Sequence, residues 1–179
     1  MNQLQKAVLS RLSKVNPAPQ TILDIGCGDG SFTQLLAYYF SRANITALDV
    51  VSPQQSFESG RVRFVKGSVE QMPFDPDLFD AAIACMSLHH WDDKQQGIHE
   101  AFRVLKAGGN LIIGDPLRQG WMDNKLMAWL LKVIDSGTIA TEDELVDYAK
   151  QAGFKPPQIS LVAQSIRSLF VITAEKPHA

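Results

Sequence analysis

Residues 22–30 read ILDIGCGDG, and this stretch decides the fold. An apolar run of strand character ends at Asp24–Ile25, and Gly26, Gly28 and Gly30 follow before a helical pattern opens near Ser31. Glycines there allow positive φ and let backbone approach a ligand closely, and a helix N-terminus just beyond offers N–H groups to an anion. A plain tight turn would also use glycine. Three glycines in five positions between strand and helix point instead to a ligand loop. A dinucleotide fingerprint, G-x-G-x-x-G, would need glycine where Ser31 stands. The spacing is G-x-G-x-G, with Asp24 two residues before the first glycine. Negative charge there opposes a pyrophosphate and suits a ligand carrying an ammonium group.

Working outward, short runs rich in β-branched residues recur at 44–49, 61–65, 80–85, 110–115, 158–163 and 169–174, joining the first at 21–25. Between them lie stripes of helical period. One is Phe32, Leu35, Leu36, Tyr39 and Phe40; another is Ile98, Ala101, Phe102 and Leu105, with Gly108 expected just past its end. A third carries Leu145, Tyr148, Ala149 and Ala152, opened by a Thr141/Glu144 capping box and stopped at Gly153. Leu4, Val8, Leu12 and Val15 predict an amphipathic amino-terminal helix ended by Pro17 and Pro19. Strands alternating with helices imply a doubly wound α/β fold with a mostly parallel seven-stranded sheet. The last two strands are separated by 164–168 alone. A parallel crossover needs a dozen residues or more, so these two must be antiparallel neighbours.

Composition narrows the function classes. At 179 residues, 45% apolar and 20% charged, the chain fits one domain over 1–179, with a helix in 1–17. A net charge of −2 gives no basic footprint for nucleic acid and no polybasic membrane patch. The longest mostly apolar run, 126–134, is far short of the ~20 residues that span a bilayer. No signal-peptide core opens the chain, so a cytoplasmic protein is expected. Two cysteines, Cys27 and Cys85, are too few for a disulfide scaffold and are expected as reduced thiols.

Other residues could carry chemistry. Asp49 ends the second strand about twenty residues beyond the glycine loop, where a carboxylate can accept both ribose hydroxyls of a nucleoside; an exposed strand-end aspartate is the plainer alternative. Ser68, Val69 and Glu70 follow the third strand, where a hydroxyl and a backbone N–H could meet a purine edge, or form an ordinary turn. His89, His90 and Asp115 are candidate bases, with loop packing as the competing role of the histidines. The stretch 117–140 holds Trp121, Met122, Met127 and Trp129 and is a candidate lid, though the same face suits a core-packing helix. No metal-ligand spacing appears.

These motifs together resemble the class I S-adenosylmethionine-dependent methyltransferases, small and single-domain, over nearly the whole chain. ILDIGCGDG resembles their first motif; GSVEQMPF (67–74), FDAAIACMSLHHW (79–91) and AFRVLKAGGNLIIGD (101–115) are similar to later ones. The family commonly has aspartate where Ser68 stands. The resemblance implies a Rossmann-like methyltransferase fold whose last strand inserts between the fifth and sixth. It implies S-adenosyl-L-methionine as cofactor, S-adenosyl-L-homocysteine as product, and in-line methyl transfer to a small-molecule acceptor. The implied cofactor residues are Gly26 and Cys27 at the methionyl amino group, with Asp24, Gly28 and Gly30 shaping the loop. Asp49 and Val50 would lie at the ribose, Ser68, Val69 and Glu70 at the adenine, and Cys85 and Met86 beside the sulfonium. Two other readings stand beside it: a non-catalytic binder of the same cofactor, acting as sensor or partner subunit, and a nicotinamide-dependent oxidoreductase. Asp24, Ser31 and the antiparallel terminal pair disfavour the latter.

Overall fold

The computed structural model describes residues 1–53, 60–117, 138–163 and 168–178. Its centre is a seven-stranded sheet in the order β3-β2-β1-β4-β5-β7-β6. The strands are β1 (Thr21–Ile25), β2 (Asn44–Asp49), β3 (Val62–Lys66), β4 (Phe79–Cys85), β5 (Leu105–Pro116), β6 (Gln158–Ala163) and β7 (Leu169–Glu175). β1 to β5 pair in parallel, whereas β7 runs antiparallel to both β5 and β6. The short 164–168 separation forces that reversal, and the last strand inserts between β5 and β6 as expected.

Alternation along the inner strands supplies two cores. Ile22, Ile45, Ala81, Ile83 and Ile112 face one side, where α1 (Gln3–Val15) and α2 (Ser31–Tyr39) cover them. Leu23, Ile25, Leu48, Ala82, Ala84, Leu111 and Ile113 face the other, beneath α3 (Lys94–Val104) and α4 (Glu142–Ala152). A sheet buried on both faces cannot show a polar side, so its strands read as continuous apolar runs. Helix α1 docks closely because β5 offers Gly114: a Cβ there would lie 2.4 Å from Val8 Cγ2. Helix α4 begins with the Thr141/Glu144 capping box and ends on Gly153 at φ 103°, both as its sequence predicts.

Three expectations change. Helix α3 stops at Val104 with Leu105 as its C-cap, and Gly108 does not end the helix. Leu105 already pairs with Phe79, so β5 starts five residues earlier than its apolar run suggests and passes a register shift. Gly108, at φ 75°, lies within that strand, under the His178 ring. β3 sits one residue later than its apolar run, ending at Lys66. The body of the candidate lid, 118–137, lies outside the described residues.

Candidate active site

The carboxyl ends of β1, β2, β3 and β4 open onto one cleft of about 470 Å³, the position where open α/β sheets bind ligands. Gly26, Gly28, Asp49, Val50, Ser68, Val69, Glu70, Met86 and His90 are brought together in its wall. Ile25, Leu48, Gly67, Ser87, Trp91 and Asp92 complete it. None of those six was expected as a cofactor residue, although Ile25, Gly67, Ser87 and Trp91 lie inside the quoted motifs.

Beneath the glycine loop the chain ties itself down. Gly26 and Cys27 N–H groups both donate to Leu48 O, at 2.8 and 3.2 Å, which locks the loop onto the end of β2. Asp49 then accepts from Gly28 N–H through Oδ2 at 2.8 Å and from Val51 N–H through Oδ1 at 3.0 Å. Gly26 sits at φ 72°, and a Cβ on it would lie 2.5 Å from Ser87 Cβ. Glycine is required there for both reasons. Ser87 in turn donates its hydroxyl to Ile25 O at 2.7 Å, joining the exits of β1 and β4. Only the folded chain reveals that contact, because it spans 62 residues.

The acid of the motif is not in the cleft wall. Asp24 is 1% exposed and accepts a 2.6 Å hydrogen bond from Thr33 Oγ1. Burial pushes its carboxyl up to about 7, Thr33 opposes the shift, and Asp49 adds to it. Cys27 is buried, Cys85 half-buried and Gly30 buried at the N-cap of α2, and none of the three is among the cleft-lining residues. Both thiols are free, and burial pushes each up to about 12. They are therefore poor nucleophiles near neutral pH.

The anion seat expected at the start of α2 carries the chain's own carboxylate. Asp29 accepts from Ser31 N–H at 2.9 Å and from Ser31 Oγ at 2.7 Å, and those bonds hold it below the usual carboxylate range. A ligand diphosphate would meet that negative charge.

Ser68 and Glu70 also differ from the open purine edge expected of them. The Ser68 hydroxyl donates to Glu70 Oε2 and accepts from Glu70 N–H. Glu70 Oε1 takes the N–H groups of Asp92 and Asp93, at 3.1 and 3.4 Å. Burial raises the Glu70 carboxyl, but the Ser68 hydroxyl and these N–H groups outweigh it and hold the group below its ordinary value. Glu70 thus binds the β3 exit to the β4 exit. Trp91 closes the apolar side, seated where a Cβ on Gly97 would come within 2.6 Å of its ring. The 67–74 stretch is held from behind by α3. Glu100 accepts from Met72 N–H at 2.7 Å, and Arg103 donates to Phe74 O at 2.7 Å and Met72 O at 3.1 Å.

After β4 the backbone bends sharply. Met86 adopts φ 58°, a left-handed conformation rare for a long side chain and typical of functional turns, and is 44% exposed in the cleft wall. His90 is exposed beside it, whereas His89 and Asp115 are buried and 2.8 Å apart. Among the described residues no group of three or more His, Cys, Asp or Glu is placed to hold a metal ion. No helix among them is long and apolar enough to cross a membrane.

Comparison with known proteins agrees with this geometry. A family model described as a methyltransferase domain matches residues 23–113, about half of the chain. The chloroplastic 2-methyl-6-phytyl-1,4-hydroquinone methyltransferase 1 of Oryza sativa subsp. japonica is 30% identical over 150 residues, covering 79% of this chain and 43% of that protein. The O-methyltransferase cnsE of Penicillium expansum is 28% identical over 165 residues, covering 86% of this chain and 59% of that protein. The chain thus spans roughly half the length of these relatives. Among solved structures, the Burkholderia thailandensis 1,6-didemethyltoxoflavin-N1-methyltransferase, with bound 1,6-didemethyltoxoflavin and S-adenosylhomocysteine, superposes with a TM-score of 0.74. It is 23% identical, over 97% of this chain and 78% of that one. The family match, the inserted antiparallel β7 and the glycine loop facing Asp49 converge, and the chain belongs to the class I S-adenosylmethionine-dependent methyltransferase family.

Proposed function

We propose that this chain binds S-adenosyl-L-methionine in the cleft between β1, β2, β3 and β4 and transfers its methyl group to a small-molecule acceptor. The observation that carries the reading is the Asp49 carboxylate, anchored by Gly28 N–H at the lip of a positive-φ glycine loop. Two N–H donors occupy two of its roughly four acceptor positions, which leaves one on each oxygen for a pair of vicinal ribose hydroxyls. The residues present fit the rest of the cofactor. Val69 and Trp91 offer apolar surface for a purine, with Ser68 and Glu70 at its edge. The backbone at Gly26 and Cys27 suits the methionyl amino group, and the buried Asp24 lies below that loop. Met86, in the cleft wall at the β4 exit, suits the sulfonium end.

When bound, the cofactor supplies an electrophilic methyl group on a positively charged sulfur. The protein's part is positioning, worth several kcal/mol when the acceptor is held behind the methyl carbon. The Ser87 hydroxyl and Met86 shape that end of the cleft, and the Glu70 bridge keeps the β3 and β4 exits at fixed separation. Methyltransferases acting on hydroquinones and O-methyltransferases among the relatives support a small organic acceptor.

Calorimetric titration tests the reading. Asp49→Ala removes charge-assisted hydrogen bonds worth ~1.5–3 kcal/mol, so affinity for S-adenosyl-L-homocysteine should fall roughly ten- to a hundredfold. Unchanged affinity would contradict the assignment of Asp49 to the ribose.

A further inference from the structure

At the opposite ends of the strands from the cofactor cleft, a second cavity of about 410 Å³ opens beside the last turn of α1. That volume falls in the range of small-ligand sites. The sheet forms its floor. Asn110 opens the β5–β7 pairing opposite Glu175, and Thr173 of β7 lies opposite Gln158 of β6. Side chains alternate along a strand, so Asn110 shares a face with Ile112, and Thr173 and Glu175 share one with Val171. Ile112 and Val171 belong to the core that α1 covers.

The floor holds polar groups that the fold does not use. Thr173 is 7% exposed, and its hydroxyl has no hydrogen-bond partner among the described residues. Asn110, 5% exposed, brings a carboxamide to the same cavity. A residue serving the core alone would be apolar at that depth, as Ile112 and Val171 are, because burying a polar group is costly unless something satisfies it. Gln158 Oε1 accepts from Arg11 at 3.3 Å, which leaves the Gln158 amide N–H groups to donate. At the rim, Lys155 Nζ and Glu175 Oε1 are 2.5 Å apart, and His178 Nε2 stands 3.8 Å from the same oxygen. The Lys155 and Glu175 side chains are 47% and 37% exposed, so water screens the pair and exchanging it for other partners costs the fold little.

We propose that this cavity is a second ligand site, for a free α-amino acid with an uncharged polar side chain. Lys155 takes the ligand's carboxylate and Glu175 its ammonium group, so the two wall charges stay balanced. A ligand of one sign would leave either Lys155 or Glu175 without a counter-charge. The ligand's side chain reaches the floor, where a hydroxyl and a carboxamide can each donate and accept toward an amide or hydroxyl. Val15 and Pro156 supply apolar wall for its methylene groups. None of the residues lining this cavity lines the cofactor cleft, so the site does not depend on the methyltransferase reading.

Nitrogen-15 NMR titration with L-glutamine tests the proposal. The amide signals of Gly108, Asn110, Thr173 and Glu175 should shift together and saturate, while those of Gly28 and Asp49 stay in place. Glutaramate lacks the ammonium group and L-glutaminamide lacks the carboxylate, and each should bind about tenfold more weakly or worse. Thr173→Val keeps the shape and removes the hydroxyl, so affinity should fall roughly two- to tenfold. That variant should unfold no earlier than wild type, since it deletes a group the fold leaves unpaired, whereas loss of a structural hydroxyl would lower Tm. Glu175→Gln should weaken L-glutamine roughly ten- to a hundredfold and narrow its advantage over glutaramate. Affinity for S-adenosyl-L-homocysteine should be unchanged in both variants, which separates failure here from failure of the cofactor reading. No saturating shifts, shifts confined to another part of the molecule, equal binding of glutaramate, or full affinity in Thr173→Val would each overturn the proposal.

Discussion

Replacing Asp24 by Asn should stabilise the fold and weaken the site. Asp24 is fully enclosed, with Thr33 as its hydrogen-bonding side chain, and burial lifts its carboxyl from 3.8 to about 7. Between those values the folded chain keeps a proton that the unfolded chain has released. Stability from this group is therefore full below about pH 4, falls as pH rises, and is gone above about 7. About three units at 1.36 kcal/mol each amount to about 4 kcal/mol. Asparagine mimics the protonated acid, and its carbonyl still accepts from Thr33. The variant should match wild type near pH 4 and exceed it by about 4 kcal/mol at pH 8, or roughly 10 °C in Tm for a domain of this size. Denaturant unfolding of both proteins from pH 5 to 8 isolates the effect, since the other carboxylates cancel in the difference. The gap should widen by about 3 kcal/mol across that range. At pH 8 the variant should also bind the cationic cofactor more weakly, the trade expected where a site stores an unfavourable charge. A gap independent of pH, or a variant less stable at pH 8, would refute the reasoning.

Other substitutions probe the scaffold of the cleft. Gly26→Ala places a Cβ against Ser87 at a positive φ, and should cost roughly 1–3 kcal/mol and lower cofactor affinity, measured by thermal denaturation and calorimetry. Gly114→Val drives a side chain into Val8 and Leu4, so α1 should loosen from β5, with about 1–3 kcal/mol lost and faster amide exchange in 3–15. Arg103→Ala removes the donors to Phe74 O and Met72 O, so amide exchange across 67–74 should rise without global unfolding.

Sheet order was legible because each link of the argument is local. The strands at 21–25, 44–49 and 158–163 begin and end where their apolar runs do, and the short 164–168 separation dictates the antiparallel pair. β5 was shorter in the sequence reading because Leu105 serves two elements, closing the α3 stripe and pairing with Phe79. Within the site, Gly26, Gly28 and Asp49 were readable from type and spacing. Asp24 was readable as important but not as buried, since the Thr33 bond that sequesters it depends on how α2 packs. Ser87, Trp91 and the Glu100–Arg103 clamp act through partners 28 to 62 residues distant or through ring packing on Gly97, which no local pattern encodes. Asp29 could have been found: an Asp two residues before a serine at a helix start reads as a local cap.

The most direct measurement is a crystal structure of the chain with S-adenosyl-L-homocysteine. The ligand should lie across Gly26 and Gly28 with both ribose hydroxyls on Asp49 and its purine between Val69 and Trp91. Ligand elsewhere on the molecule, or a ribose turned away from Asp49, would contradict the account.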